Sequence, residues 1–346
     1  MKKKQIIGMV AMVAVVVGAC VVLKETGIWK KEKKEEQKPA ITFDIPEEQK
    51  NAFIAEYSEE DYQVGYGWAQ KVLTQTRWPL NPESIEPLKE SYSVEEVSIK
   101  SSYDGHSIPA DYILADGKKD CDTMIVVHGL SCNRRTNMGI EEAFLGWGYN
   151  VLSFDLAGAG ENECQLSTYG AFEQYELLDC INYVKKNMSK DKKVVVYGYS
   201  YGGGVTAVAL GNEEIDKKVD IAILDAPIAN FKMQLLNGYG NLYSYTEYEN
   251  MFRCFDNFCE MMYGFNSSDI SGKERIASTT TPVLVFTSEA DTVVPTSQPE
   301  SIYDAVPHDK KYIHVFEKVQ HTCEFGSPEE EIFLQTIKDF LDGKLY

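Results

Sequence analysis

Positive charge is in short supply in this chain of 346 residues: 34 Lys and Arg stand against 53 Asp and Glu, a formal net charge of −19. The first 38 residues hold nine lysines and only four acids, so the remainder sets 25 basic against 49 acidic groups, or −24. A body of that charge repels phosphate backbones, which argues against nucleic acid as a partner and against long polyanionic substrates. Cysteine is present without a pattern. After Cys20 come Cys121, Cys132, Cys164, Cys180, Cys254, Cys259 and Cys323, an odd number with no C-x-x-C. Neither a disulfide framework nor a zinc site is suggested, and the thiols read as small buried hydrophobes. There is no G-x-x-x-x-G-K-[ST] phosphate loop and no internal repeat of 20–50 residues. The composition, 44% hydrophobic and 25% charged, excludes a disordered tail, a collagen-like fibre and a coiled coil. The length suits one large α/β domain.

The N-terminus reads as an anchor or an export signal. Lys2, Lys3 and Lys4 precede an uncharged run from Ile6 to Leu23, at the short end of what spans a bilayer at about 1.5 Å of rise per residue. Two versions stay open for residues 1–23. Val17-Gly18-Ala19-Cys20 resembles a bacterial lipoprotein cleavage box, which would place a lipid on Cys20; Val21-Val22-Leu23 continue the apolar run, as an uncleaved anchor would. Lysines on both sides leave the orientation open, with an extracytoplasmic body favoured over a cytoplasmic-facing one. Residues 24–45 read as a charged linker. From Pro46 to Trp78, apolar and aromatic residues at helical spacing predict one or two amphipathic helices, within an extension (46–93) packed on the core.

From residue 94 to 346 the pattern is that of one α/β domain. Val94–Ile99 and Ile108–Leu114, split by Asp104-Gly105, predict a hairpin. Six short apolar runs follow: Thr123–Val127, Val151–Phe154, Val194–Tyr197, Ile221–Leu224, Val283–Phe286 and Ile313–Phe316. Helical stretches separate most of them, at Ala171–Lys186, Gly202–Leu210, Gln298–Val306 and Glu329–Leu341. Strands alternating with helices predict a mostly parallel sheet covered on both faces. The interval of about 229–281 is too long for a plain crossover and rich in aromatic residues. It reads as an inserted, largely helical cap whose rings mostly form its own core.

The chemistry sits at strand ends. In Val194-Val195-Val196-Tyr197-Gly198-Tyr199-Ser200-Tyr201-Gly202-Gly203-Gly204, an apolar strand leads into a serine and a small-residue helix leads out. Glycines on both sides permit a sharp turn that lifts the hydroxyl above the sheet. A serine nucleophile needs a base, and there are five histidines. His106 lies in the hairpin, His128 at the first parallel strand end, His308 at the wrong end of the sheet, and His314 inside a strand. His321 follows the last strand on the serine's side and is the expected base. Asp291, just past a strand end, is the expected carboxylate behind it, with Asp225 and Glu289 as fallbacks. Two N–H donors are expected to hold a developing oxyanion: Tyr201, directly after the serine, and Leu130, after Val127-His128-Gly129. His128 reads as a loop-shaping residue.

From about Val94 onward the chain resembles the α/β-hydrolase superfamily, particularly its bacterial serine-aminopeptidase-like and acyl-esterase-like branch. The resemblance rests on His128-Gly129, Asp155-Leu156-Ala157-Gly158-Ala159-Gly160, Ser167-Thr168-Tyr169-Gly170, the Ser200 turn, Asp291 and His321. Where that family often shows Asp-x-Arg-Gly-x-Gly-x-Ser, Ala157 replaces the Arg and Asn162 stands in the Ser place. The resemblance implies a membrane-tethered serine hydrolase cleaving a small-molecule carboxylic ester through an acyl-serine, with no metal or organic cofactor. Peptidase or acyl-transfer chemistry at the same site is the first alternative, and Glu247, Glu249, Asp256 and Glu260 of the cap could form an acidic wall for a free amine. A non-catalytic scaffold is the second.

Overall fold

Alternation along the central strands decides the layering. In the computed structural model, which describes residues 42–136, 138–239 and 242–346, Ile125 and Val127 face one apolar cluster while Met124 and Val126 face another. Val194 and Val196 likewise oppose Val195 and Tyr197. A strand whose residues all find apolar company must be buried on both faces, which requires helices above and below. The anchor or signal at 1–23, Cys20 included, and nearly all of the 24–45 linker lie outside the described residues. Among the described residues, no helix is long and apolar enough to cross a membrane.

The elements run α1 (Glu47–Glu56), α2 (Glu59–Val72), α3 (Pro82–Ser91), β1 (Ser93–Lys100), β2 (Ser107–Leu114), β3 (Thr123–Val127), α4 (Met138–Gly146), β4 (Asn150–Phe154), α5 (Glu173–Lys185) and β5 (Val194–Tyr199). They continue with α6 (Tyr201–Ala209), α7 (Glu213–Asp216), β6 (Ile221–Asp225), α8 (Phe231–Tyr239), α9 (Tyr245–Tyr263), α10 (Gly272–Ile276), β7 (Val283–Ser288), α11 (Ser297–Ala305), β8 (Lys311–Phe316) and α12 (Glu330–Leu341). The sheet order is β1-β2-β4-β3-β5-β6-β7-β8. β1 and β2 form the antiparallel hairpin, β2 joins β4 antiparallel, and all later pairs are parallel. One face is covered by α5, α6 and α11 through Leu177, Val205 and Ile302. The other is covered by α3, α4 and α12 through Leu88, Phe144 and Phe333.

The 46–93 extension divides. Its third helix, α3, is capped by Asn81 with Pro82 in the first turn and packs on the sheet. Its first two helices share one cluster with the helices between β6 and β7 and with the main domain: Phe53, Tyr62 and Trp68 lie with Phe231, Phe252, Phe255 and Phe258 and with Ala157, Leu166 and Ala171. The long cap helix α9 carries its own start and stop. Ser244 and Glu247 form a capping box, and Gly264 closes the C-terminus in the left-handed region. Its apolar residues at 248, 252, 255 and 258 make one stripe, laid against α2. The two helices meet at Gly65, where a Cβ would stand 2.6 Å from the Cys254 carbonyl oxygen and 2.8 Å from Phe258 Cβ.

The hairpin is tied to α5 by a buried charge cluster. His106 Nδ1 bonds Asp104, and its Nε2 donates to Glu176 Oε1 at 2.7 Å. Glu176 also accepts from Asn162 Nδ2 and the Ala157 N–H, each at 2.8 Å, so the cluster fixes the loop after β4 as well. Burial disfavours the His106 charge, but the bonds to Asp104 and Glu176 outweigh it and push its pKa up to about 10.

Two expectations follow. Gly65→Val should force α2 and α9 apart and cost about 2 kcal/mol, read as a lowered urea midpoint; an unchanged midpoint would show that the helices do not meet there. An unfolded histidine titrates near ~6.5, so the raised folded value makes the His106 contribution complete below that pH and lost as pH rises toward about 10. Urea unfolding at pH 6 and pH 9 should therefore show wild type losing more stability over that interval than His106→Gln, by on the order of 1–2 kcal/mol. Equal losses would contradict the charged assignment.

Candidate active site

The turn at Ser200 is built from glycines. β5 runs directly into α6, and Ser200 between them sits at φ +55°, ψ −118°, a left-handed φ that a non-glycine residue holds only under strain. The Ser200 N–H donates to the Asp225 carbonyl at 2.7 Å, and its own carbonyl accepts from the Gly204 N–H at 3.1 Å. A Cβ on Gly202 would stand 2.0 Å from the Val127 carbonyl oxygen, and one on Gly198 2.5 Å from the Gly202 carbonyl oxygen. Only glycine lets β3, β5 and α6 come this close, and the hydroxyl is left standing above the strand ends.

The structure brings Ser200, His321 and Asp291 together. The Ser200 hydroxyl lies 2.8 Å from His321 Nε2, and His321 Nδ1 lies 2.6 Å from Asp291 Oδ2. With Nδ1–H donating to the carboxylate, Nε2 is the acceptor for the hydroxyl proton. The other Asp291 oxygen accepts the N–H groups of Val293 at 2.7 Å and Val294 at 2.9 Å. Burial works against the Asp291 charge, but the His321 bond and those two N–H groups hold its pKa below the usual carboxylate range.

The alternatives are occupied elsewhere. Asp225 accepts from the Tyr197 hydroxyl at 2.9 Å and faces Glu324, while His321 Nδ1 bonds Asp291. Burial and the Glu324 charge push Asp225 well up, and burial lifts Glu324 to about 7. Glu289 is exposed. His128 is fully buried; its Nδ1–H donates to the Gly129 carbonyl at 2.8 Å and its Nε2 accepts the Leu156 N–H at 3.0 Å, so it shapes two loops as a neutral ring. His308 Nε2 bonds the Thr281 carbonyl beside the start of β7, and His314 lies in β8 against Phe286 and Phe316.

The two expected oxyanion donors flank the serine. Tyr201 opens α6, so its N–H stands outside the helical ladder. Leu130 is in the turn closed by Cys132 N–H donating to the Gly129 carbonyl at 3.2 Å, and a Cβ on Gly129 would lie 3.5 Å from Ser200 Cβ. Residues that sequence reasoning missed surround these donors. Glu173 accepts from the Tyr201 hydroxyl at 2.6 Å, from both Thr168 groups and from the Gly170 N–H at 2.9 Å. Arg135 grips Asp111 through two bonds of 2.6 and 2.8 Å, and Arg134 pairs with Asp155, fixing the chain just after the Leu130 turn. The Arg134, Arg135 and Tyr201 pairings join residues more than twenty positions apart and leave no local sequence signal.

A cleft of about 480 Å³ opens beside the acid loop, lined by Met233, Leu236, Lys273, Pro295 and Gln298 among others. α8 is held against that loop by Gln234 and Asn237, which both donate to the Val293 carbonyl. The supposed acidic wall is not free: Glu247 caps α9, Glu249 pairs with Lys232 at 2.8 Å, and Asp256 accepts from Ser267. All seven described cysteines are unpaired. Among the described residues, no group of three His, Cys, Asp or Glu is placed to hold a metal.

Comparison with known proteins matches this architecture. The family profile described as alpha/beta hydrolase fold matches residues 122–253. The chain is 24% identical over 261 residues to the uncharacterized protein YqkD of Bacillus subtilis (strain 168), covering 75% of this chain and 82% of that one. It is 27% identical over 166 residues to lysophosphatidylserine lipase ABHD12 of Danio rerio, covering 47% of this chain and 41% of the lipase. Among solved structures, Pyrococcus furiosus esterase Pf2001 superposes with a TM-score of 0.62 at 20% identity, covering 79% of this chain and 100% of the esterase. With the profile running from β3 into α9 and the remaining strands completing the same sheet, the chain has the α/β-hydrolase fold.

Proposed function

We propose that this protein is a serine hydrolase that cleaves carboxylic esters through an acyl-serine intermediate, within the acyl-esterase-like part of its superfamily. The observation that carries the reading is the hydrogen-bonded series from Ser200 through His321 to Asp291. Ser200 Oγ attacks the acyl carbonyl carbon as its proton passes to His321 Nε2, and Asp291 stabilises the imidazolium while fixing its ring. The Tyr201 and Leu130 N–H groups hold the oxyanion. Collapse expels the alcohol, which takes the proton from His321. Water then attacks the acyl-enzyme, giving a proton to the same nitrogen, and collapse releases the carboxylic acid as His321 returns that proton to Ser200 Oγ.

Esters are favoured over peptides because three of the four cap acids that could receive a free amine are engaged in capping, an ion pair and a turn. The esterase and lipase named among the similar proteins point the same way. The run Ile6–Leu23 would tether the enzyme to a membrane with its body extracytoplasmic.

Purified protein should hydrolyse p-nitrophenyl butyrate at least ~100-fold faster than aminoacyl p-nitroanilides, since no free acidic wall receives the amine. Faster turnover of the anilides would transfer the site to the peptidases. Ser200→Ala and His321→Ala should each lower kcat at least ~10³-fold and leave the fold intact by circular dichroism. Near-normal turnover in either folded variant would remove that residue from the mechanism.

A further inference from the structure

Residues 73–78, which leave α2 toward α3, cross beside the site and are bound to three of its loops. The Leu73 carbonyl accepts the Ser167 N–H at 2.8 Å, and Arg77 donates to the carbonyls of Asn162 at 2.6 Å and Cys164. The Trp78 carbonyl accepts from Asn133 Nδ2 at 3.3 Å. At the centre of the segment, half-buried Gln75 uses both ends of its amide. Its Nε2 donates to Ser167 Oγ and to the Ala157 carbonyl, and its Oε1 accepts the Ser131 N–H.

That last bond falls on the residue after Leu130. The peptide that carries the Leu130 N–H has the Gly129 carbonyl at its other end, and this carbonyl is held by His128 Nδ1–H at 2.8 Å and the Cys132 N–H at 3.2 Å. In a trans peptide the N–H points opposite to the C=O, so those two bonds turn the Leu130 N–H away from them. The next peptide carries the Ser131 N–H, and Gln75 holds it. With both flanking peptides fixed, Leu130 has no freedom left in φ or ψ. The arrangement works against a local preference, because Ser131 sits at φ +57°. Without an acceptor for its N–H, the Leu130–Ser131 peptide can relax and carry the Leu130 donor with it.

We propose that Gln75 is a positioning residue for the oxyanion loop: its side-chain oxygen, supplied by the N-terminal extension, locks the Ser131 peptide so that the Leu130 N–H is presented to the acyl oxygen. The inference rests on the hydrolase reading of Ser200. It also gives the extension a role in turnover, since the segment that completes the loop lies outside the hydrolase domain proper.

The test uses the full chain and three readouts: kcat and KM for p-nitrophenyl butyrate, inhibition by butylboronic acid, and labelling by a fluorophosphonate. Gln75→Leu should lower kcat about ten- to hundredfold with KM within about threefold, and weaken boronic acid binding by a comparable factor. Gln75→Glu keeps an oxygen acceptor for the Ser131 N–H and should recover most of kcat. If Gln75→Leu does not fold, Gln75→Met replaces it with the same expectations. Wild-type kcat in the Leu or Met variant would overturn the assignment. So would equal losses in the Glu and Leu variants, or a kcat loss with unchanged boronic acid affinity. A wild-type protein that neither takes the fluorophosphonate nor cleaves the ester would overturn the hydrolase reading itself, which separates the two failures.

Discussion

The approach of α6 to β3 at Gly202 is the constraint on which the site depends. With the Val127 carbonyl oxygen only 2.0 Å from where a Cβ would be, the helix can start at this height only because residue 202 has no side chain. That contact sets three things at once. It forces the strained turn at Ser200, it puts the first N–H of α6 beside the hydroxyl, and it brings the loop after β3 against both. The strain at Ser200 persists because the surrounding sheet is buried on both faces and cannot yield.

Electrostatics around His321 then follow from which carboxyl groups find donors. Asp291 is buried but takes three hydrogen bonds, from His321, Val293 and Val294, and keeps its charge. Asp225 and Glu324, also buried, face each other, and burial favours their protonated forms. The imidazole therefore meets one carboxylate directly, Asp291 at Nδ1, while Asp225 and Glu324 are turned to each other. Three carboxyl groups at the end of one sheet thus have different roles because their environments differ.

Much of this was legible in the sequence, for local reasons. β3 was read at its observed bounds, and the other parallel strands to within two residues, because short β-branched runs bounded by loops have few other readings. Ser200, Asp291 and His321 each follow a strand end, and chain order plus the shortage of histidines narrowed the base to one. The interval 229–281, too long for a plain crossover, holds α8, α9 and α10 between β6 and β7. What the sequence hid was contact at a distance. α3, with Pro87 in its middle and only Ile85 and Leu88 buried, has too few apolar residues to announce a helix. α4 is short and contains two glycines. That α2 packs on α9 at Gly65 depends on a glycine whose neighbour lies nearly 190 residues away in the chain. Gln75 is a single polar residue whose worth appears only when loops far along the chain fold over it.

The central claim is that His321 and Asp291 make Ser200 a nucleophile. Intact-mass analysis after fluorophosphonate treatment, with peptide mapping of the adduct, tests it most directly. One adduct, on Ser200, is expected in the wild-type protein and none in folded His321→Ala. An adduct elsewhere, or labelling of Ser200 that is indifferent to the loss of His321, would contradict it.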